Sequence, residues 1–376
     1  MPAFDMIVVG SGGGPCENDL SAYLLKPHGA AWTDGIVALE AGSGMGTLKR
    51  LLERDPCLFD NGSDACPKTS SAHAPSYRTL YDSIRCYLIS HAHLDHVNGL
   101  ILSAGSLSCM PERRRVRGLR SVLDDLALAF GGRLWPALAS FDPDDEPHKL
   151  LFDPLPITDT YTEIIPNISV RVMPISHGWT ADGTGTYDST AFFVRHIPTA
   201  SEFLFLGDVE PDTLSARPRT HAVWAAAARR IPGSLSTLFI ECSWPADRKD
   251  QELYGHLSPV HLHAELCALA CEVVAVRTAS RMQANGGGPA RKRRRRNPLS
   301  APDVCGALRG LRVFIIHCKD ATEDDSERPV TVLITEQVKA LVDADELGAE
   351  ILHAAQGMRI STLSLHSGNN SVHQPT

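Results

Sequence analysis

The chain lacks any pair of cysteines at CxxC spacing, although it carries ten cysteines in all. A cysteine-built zinc site is therefore not expected, and with no export signal in view the thiols are read as reduced. Small buried apolar side chains are the reading for these residues, including Cys267 and Cys271 on a predicted helix. Long apolar runs are missing as well, since none approaches the roughly 20 residues of a membrane-crossing helix. The N-terminus MPAFDMIVVGSGGGP has a short apolar stretch, no basic lead and a run of glycines, so no signal peptide is expected there. Nor is there an excess of positive charge. A net charge of −8 argues against general attraction to nucleic acid or to an anionic membrane. No internal repeat is visible. The expectation is a cytoplasmic globular protein whose 376 residues can bury a large core.

What the chain does contain is a series of apolar strands that end in polar residues. FDMIVVGSGGG (4–14), GIVALEAG (35–42) and IRCYLIS (84–90) read as strands, with a helix at GTLKRLLER (46–54). The region from about 106 to 165 looks irregular, apart from a helix at SVLDDLALAF, and is taken as an insertion that lids a site. Strands return at 168–176, 190–196, 202–208, 236–242 and 311–317, with helices at 221–230 and 261–274. This order predicts sheets sandwiched by helices in a single domain spanning 1–376. The polar ends are Ser90-His91, Ser176-His177, Gly207-Asp208, Glu241 and His317. Residues at one rim of a rigid sheet are where function concentrates.

VVGSGGGP invites a dinucleotide-binding reading, but Gly10 and Gly12 are followed by Pro15 where the third glycine belongs. A tight glycine turn near the active rim is the better expectation, with backbone amides free to approach a phosphate.

The densest signal is HAHLDH, which places His91, His93, Asp95 and His96 within six positions. Side chains two apart share a face where a strand ends, so His91 and His93 can grip one ion. Asp95 and His96, expected in the loop beyond, can address another. Completing both sites takes ligands from other strand ends. His177 joins His91 and His93, His317 joins Asp95 and His96, and the Asp208 carboxylate lies between the two ions. Imidazole-rich ligation favours zinc over magnesium. Two such ions would share a hydroxide formed near neutral pH.

HxHxDH followed by His177, Asp208 and His317 resembles the metallo-β-lactamase superfamily, whose fold is an α/β structure of αββα layers, two mixed sheets with helices on the outer faces. HAHLDHVNGLILSA (91–104) is similar, more narrowly, to the signature of the class II 3′,5′-cyclic-nucleotide phosphodiesterases. IVVGSGGGPCENDLSAYLLKP, ALEAGSGMGTLKRLL, YDSTAFF, GDVEPD, IECSWP and YGHLSP carry the same resemblance. It implies hydrolysis of cAMP, and of cGMP, to the 5′-monophosphate by a metal-bridging hydroxide, with two divalent ions, Zn2+ first among them. Asp95, Asp208 and His256 are then the catalytic candidates. His256 also joins Ser189 and Thr190 as a candidate for holding phosphate, although strand-start hydroxyls have the simpler reading of local structure. Glu241 is expected behind a ligand histidine, and His261 and His263 as surface or packing residues. The runner-up is a tRNase Z-like RNA-processing nuclease, against which the acidic charge speaks. A homodimer is left open. Between about 279 and 303 lies a low-complexity basic insert expected to be disordered, whose run Arg291 to Arg296 also admits a nuclear address.

Overall fold

The computed structural model of the chain describes residues 2–60, 75–180, 183, 185–284, 304–319, 328–363 and 372–373. One sheet takes β1 (Pro2–Gly13), β2 (Leu20–Pro27), β3 (Ile36–Leu39), β4 (Ile84–Leu88), β5 (Arg115–Arg117), β6 (Ala139–Ser140) and β7 (Leu150–Phe152). A second takes β8 (Thr162–Ile165), β9 (Ile168–Trp179), β10 (Thr186–His196), β11 (Glu202–Leu206), β12 (Leu235–Glu241), β13 (Arg312–Ile316) and β14 (Glu350–His353). The chain then returns to the first sheet with β15 (Arg359–Leu363), antiparallel to β1, and β16 (Val372–His373). The strand orders are β16-β15-β1-β2-β3-β4-β5-β7-β6 and β14-β13-β12-β11-β10-β9-β8. Both sheets are mixed, with β3–β4 and β12–β13 parallel and β1–β2 and β9–β10 antiparallel.

The sheets meet through aromatic rings. Phe4 of β1 lies 5.2 Å from Phe203 of β11 between ring centres, and Tyr23 of β2 lies 5.3 Å from Phe205. Each ring withdrawn from water contributes about 1.5–3 kcal/mol. Leu204 and Leu206, alternating with those phenylalanines, point to a separate core on the outer face. The first sheet packs with α1 (Met45–Arg54), α2 (Tyr77–Asp82), α3 (Leu94–Ser103) and α4 (Arg120–Ala129). The outer core of the second sheet is closed by α5 (Thr220–Ala228), α6 (Pro259–Ala284) and α7 (Val330–Ala344). Burial on both faces is why these strands read as unbroken apolar runs. The result is the αββα layering expected.

Several expectations change. Of the glycines of GSGGG, Gly10, Gly12 and Gly13 lie within β1, and the expected turn begins one residue later, at Gly14 with φ +79°, on the way to β2. The segment taken as an irregular lid supplies β5, β6 and β7 of one sheet and β8 of the other, with α4 between them. Its strands are too short and too mixed in character to signal themselves. Asp95 and His96 occupy the first turn of α3 rather than a loop. The helix expected at 261–274 runs on to Ala284, into the start of the predicted insert, whereas the basic run 291–296 lies outside the described residues. By length and composition, α6 passes for a membrane-crossing helix, contrary to the expectation that no segment would. Its apolar face is explained by packing on α5 and α7. Cys57 is disulfide-bonded, so reduced thiols do not hold throughout.

Candidate metal centre and the family it belongs to

The strand ends of both sheets converge on one rim. β4 leads into His91 and His93, and β9 carries His177. Asp208 follows β11, and His317 follows β13. His91, His96, His177, Asp208 and His317 are buried, whereas His93 is exposed. All seven expected ligands are brought together.

The donors fall into two groups, His91–His93–His177 and Asp95–His96–His317. Within them His91 Nε2 lies 3.0 Å from His93 Nδ1, and His317 Nε2 lies 3.0 Å from His96 Nε2 and 3.1 Å from Asp95 Oδ2. Asp208 stands between the groups. Its Oδ2 is 3.7 Å from His91 Nε2 and His177 Nε2 and 3.3 Å from His317 Nε2, while Oδ1 is 3.3 Å from His96 Nε2.

The imidazoles are oriented from behind. His91 Nδ1 faces Ser90 Oγ at 2.9 Å, His177 Nδ1 faces the Gly255 carbonyl at 2.8 Å, and His317 Nδ1 faces Ser243 Oγ at 3.1 Å. Glu40 Oε2 lies 3.5 Å from His96 Nδ1. His91, His177 and His317 therefore each have an oxygen at hydrogen-bond distance from Nδ1 and turn Nε2 inward, the arrangement that fixes a metal-ligating histidine, whereas His93 presents Nδ1 to His91. Burial, the largest cause, pushes His177 down to about 3 and lowers His91 well below the usual histidine range. Burial would raise Asp208, but the charges of His317, His96 and His91 outweigh it and hold the carboxyl well below its usual range. His91 and His177 are thus neutral rings beside an ionised carboxylate, as coordination requires. At His96 burial would lower the ring, but the Asp208 and Glu40 carboxylates outweigh it and hold the ring well above the usual histidine range, so it must release a proton to bind metal. The set fits divalent metal.

His256 lies beside this set. Its Nδ1 is 2.9 Å from Glu241 Oε1, and burial pushes it down to about 4. Glu241, His177, Asp208 and His256 could also form a donor group. However, Glu241 already accepts from Val209 N, Leu257 N and Ser243 Oγ, which leaves it least available. Burial, then the charge of Asp208, pushes Glu241 up to about 7. Glu241 thus holds His256 directly and His317 through Ser243, as expected of a residue behind the ligands. Ser189 and Thr190, expected to hold phosphate, are fully buried. Thr190 donates to the Ser90 carbonyl at 2.8 Å and braces the histidine loop from behind, so neither hydroxyl reaches the cleft.

Sequence reasoning missed Glu40, Ser243, Tyr187 and Lys319. Glu40 accepts from Ser90 N at 3.2 Å, and as a polar residue at the end of an apolar strand it matched the pattern that found the others. Lys319 Nζ lies 3.7 Å from Asp95 Oδ2, and the Tyr187 ring stacks on His93 at 4.7 Å. Beside His93 and His177 opens a cavity of about 670 Å3, lined also by Trp179, Tyr187, Leu214 and Tyr254.

The family model described as cAMP phosphodiesterases class-II matches residues 62–357. The chain belongs to that family. Its relatives include a 3′,5′-cyclic-nucleotide phosphodiesterase of Schizosaccharomyces pombe, 30% identical over 71% of this chain and 75% of the relative. Another relative of that name, from Aliivibrio fischeri, is 28% identical over 94% of this chain and 92% of its own. The crystal structure of unliganded yeast PDE1 superposes with a TM-score of 0.76 at 23% identity, covering 96% of this chain and 99% of that one. The metallo-β-lactamase fold protein YhfI of Bacillus subtilis shares the fold, with a TM-score of 0.52 at 13% identity over 95% and 98% of the chains. This phosphodiesterase therefore hydrolyses 3′,5′-cyclic nucleotides, and the RNA-processing alternative has the weaker support.

Proposed function

We propose that the enzyme converts cAMP, and cGMP, to 5′-monophosphates at a two-zinc centre held by the seven ligands above. The observation that carries this reading is Asp208, whose two oxygens face ligand histidines of both donor groups. Imidazole-rich donors of this kind favour zinc. Bound divalent ions supply Lewis acidity toward phosphoryl oxygens and lower the pKa of water.

The protein's own groups position the rest. Attack on phosphorus breaks its bond to the 3′-oxygen, which leaves as an alcohol and takes one proton. His256 is the group suited to that transfer. Glu241, pushed up to about 7, carries a proton that it donates to Nδ1 of the neutral ring, so Nε2 keeps its own proton for the leaving oxygen. Glu241 passes its proton to Nδ1 as that proton is given up. Lys319 counters the charge of Asp95 at the edge of the set. The exposed faces of Trp179 and Tyr254 border the cavity and offer a purine ring a stacking surface.

The test is turnover of cAMP and cGMP by purified protein, with 5′- and 3′-monophosphates separated. Zinc content of the same sample is compared with that of a His93→Ala/His317→Ala variant. The 5′-product and a difference of about two zinc ions per chain are expected. The 3′-product would overturn the assigned bond, and a difference of one ion would overturn the paired centre.

A further inference from the structure

A second group of side chains of metal-ligating type, outside the seven described above, lies where α6 meets the end of α7. His263 and Cys267 are one helical turn apart on α6, so they share a face. Asp345, the C-cap residue of α7, completes the group. His263 Nε2 lies 3.5 Å from Cys267 Sγ and 3.1 Å from Asp345 Oδ2, and Sγ and Oδ2 are 3.9 Å apart.

Two chemistries use a thiol, an imidazole and a carboxylate. A nucleophilic relay needs the thiol on one ring nitrogen and the carboxylate on the other. Here the same nitrogen, Nε2, faces both, so a relay is excluded by geometry. Three donor atoms of these types within 3.9 Å of one another suit instead the ligands of one ion. A tetrahedral zinc with bonds of about 2.0–2.3 Å separates its ligand atoms by roughly 3.3–3.7 Å. The three observed separations bracket that range. The side chain of His263 is 18% exposed and that of Asp345 43%, so an ion can enter from solvent and keep water in a fourth position.

We infer that His263, Cys267 and Asp345 form a second metal site, selective for zinc or another thiophilic divalent ion, which ties α6 to the end of α7. Binding forms a metal–sulfur bond and releases the thiol proton to solvent. α6 begins at Pro259, immediately beyond the segment that carries His256, so the ion also steadies the helix next to the catalytic rim. Cys271, one turn further along α6, lies outside the donor group.

Cobalt distinguishes this site from the histidine centre, whose donor set contains no thiolate. Metal-free protein, kept anaerobic without reductant so that the disulfide of Cys57 survives, is titrated with Co2+. A near-ultraviolet thiolate-to-cobalt charge-transfer band is expected in the unmodified chain, in Cys271→Ser and in His177→Ala. The band should vanish in Cys267→Ser, and Co2+ affinity read from it should fall at least tenfold in His263→Gln and Asp345→Asn. Circular dichroism checks that each variant folds. A silent unmodified chain would show a hydrogen-bonded cluster only and overturn the site, as would a band that persists in Cys267→Ser.

Discussion

At the scale of single residues, strain and close packing mark the site. His317 and Glu40 both adopt left-handed backbone conformations, at φ 60° and 57°, which side-chain-bearing residues rarely hold without compensation. Each sits just past a strand and faces the metal-binding set, so the surrounding sheets supply that compensation. Gly13 shows how tight the packing is: a Cβ there would stand 2.5 Å from the His317 ring. Gly13→Ala should therefore displace His317 and cut zinc content and turnover together, checked by metal analysis and kinetics on one preparation. His256→Ala should behave differently. Zinc content is expected to hold while kcat falls by about 10²–10⁴, whereas lost zinc would make His256 a ligand. The glycine run was conspicuous in the sequence, yet its role was not legible, because the partner of Gly13 lies at the far end of the chain.

At the scale of elements, β1 and β2 contain a buried charge that patterning did not reveal. Lys26 is 1% exposed and its Nζ lies 2.6 Å from Asp5 Oδ2 across the strand pair. Burial would raise the Asp5 carboxyl, but Lys26 and His28 outweigh it and hold the group below its ordinary value. A depressed carboxyl stabilises the fold above its unfolded pKa of about 3.9, and that contribution is lost as pH falls through the folded value. Asp5→Asn should remove this part of the acid sensitivity and cost roughly 3 kcal/mol near neutral pH by leaving Lys26 without its partner. Urea unfolding of both proteins from neutral to acid pH checks the sign and the size. Alternation identified most strands, but the lysine in LSAYLLKP reads as a strand terminus until the neighbouring strand is in place.

At the scale of the whole molecule, the candidate metal-binding set draws on both sheets. His91, His93, Asp95 and His96 come from the end of β4 in one sheet, while His177, Asp208 and His317 come from the other. Ion binding to the folded state alone therefore also stabilises the sandwich. At a free ion concentration a thousandfold above Kd the gain is about 4 kcal/mol. Chelation should lower Tm, and zinc should restore it. An unchanged Tm after complete removal of metal would mean that the sheets hold their spacing without it. The rings of Phe4, Tyr23, Phe203 and Phe205 add to that cohesion within the larger apolar core.

By itself the sequence picked out all seven candidate metal-binding residues and the strand-end setting of His91, His93, His177, Asp208 and His317, because local spacing and apolar runs ending in polar groups are written along the chain. It did not place Asp95 and His96 on α3. It also carried the family, through HAHLDHVNGLILSA and the motifs around it. Only the tertiary structure decided what lies behind those residues. The oxygens facing His91, His177 and His317, the burial of Ser189 and Thr190, and the approach of His263 and Cys267 to Asp345 depend on contacts between segments or on side-chain direction. No local pattern encodes these, since a side chain's partner across the fold is set by how the sheets and helices pack.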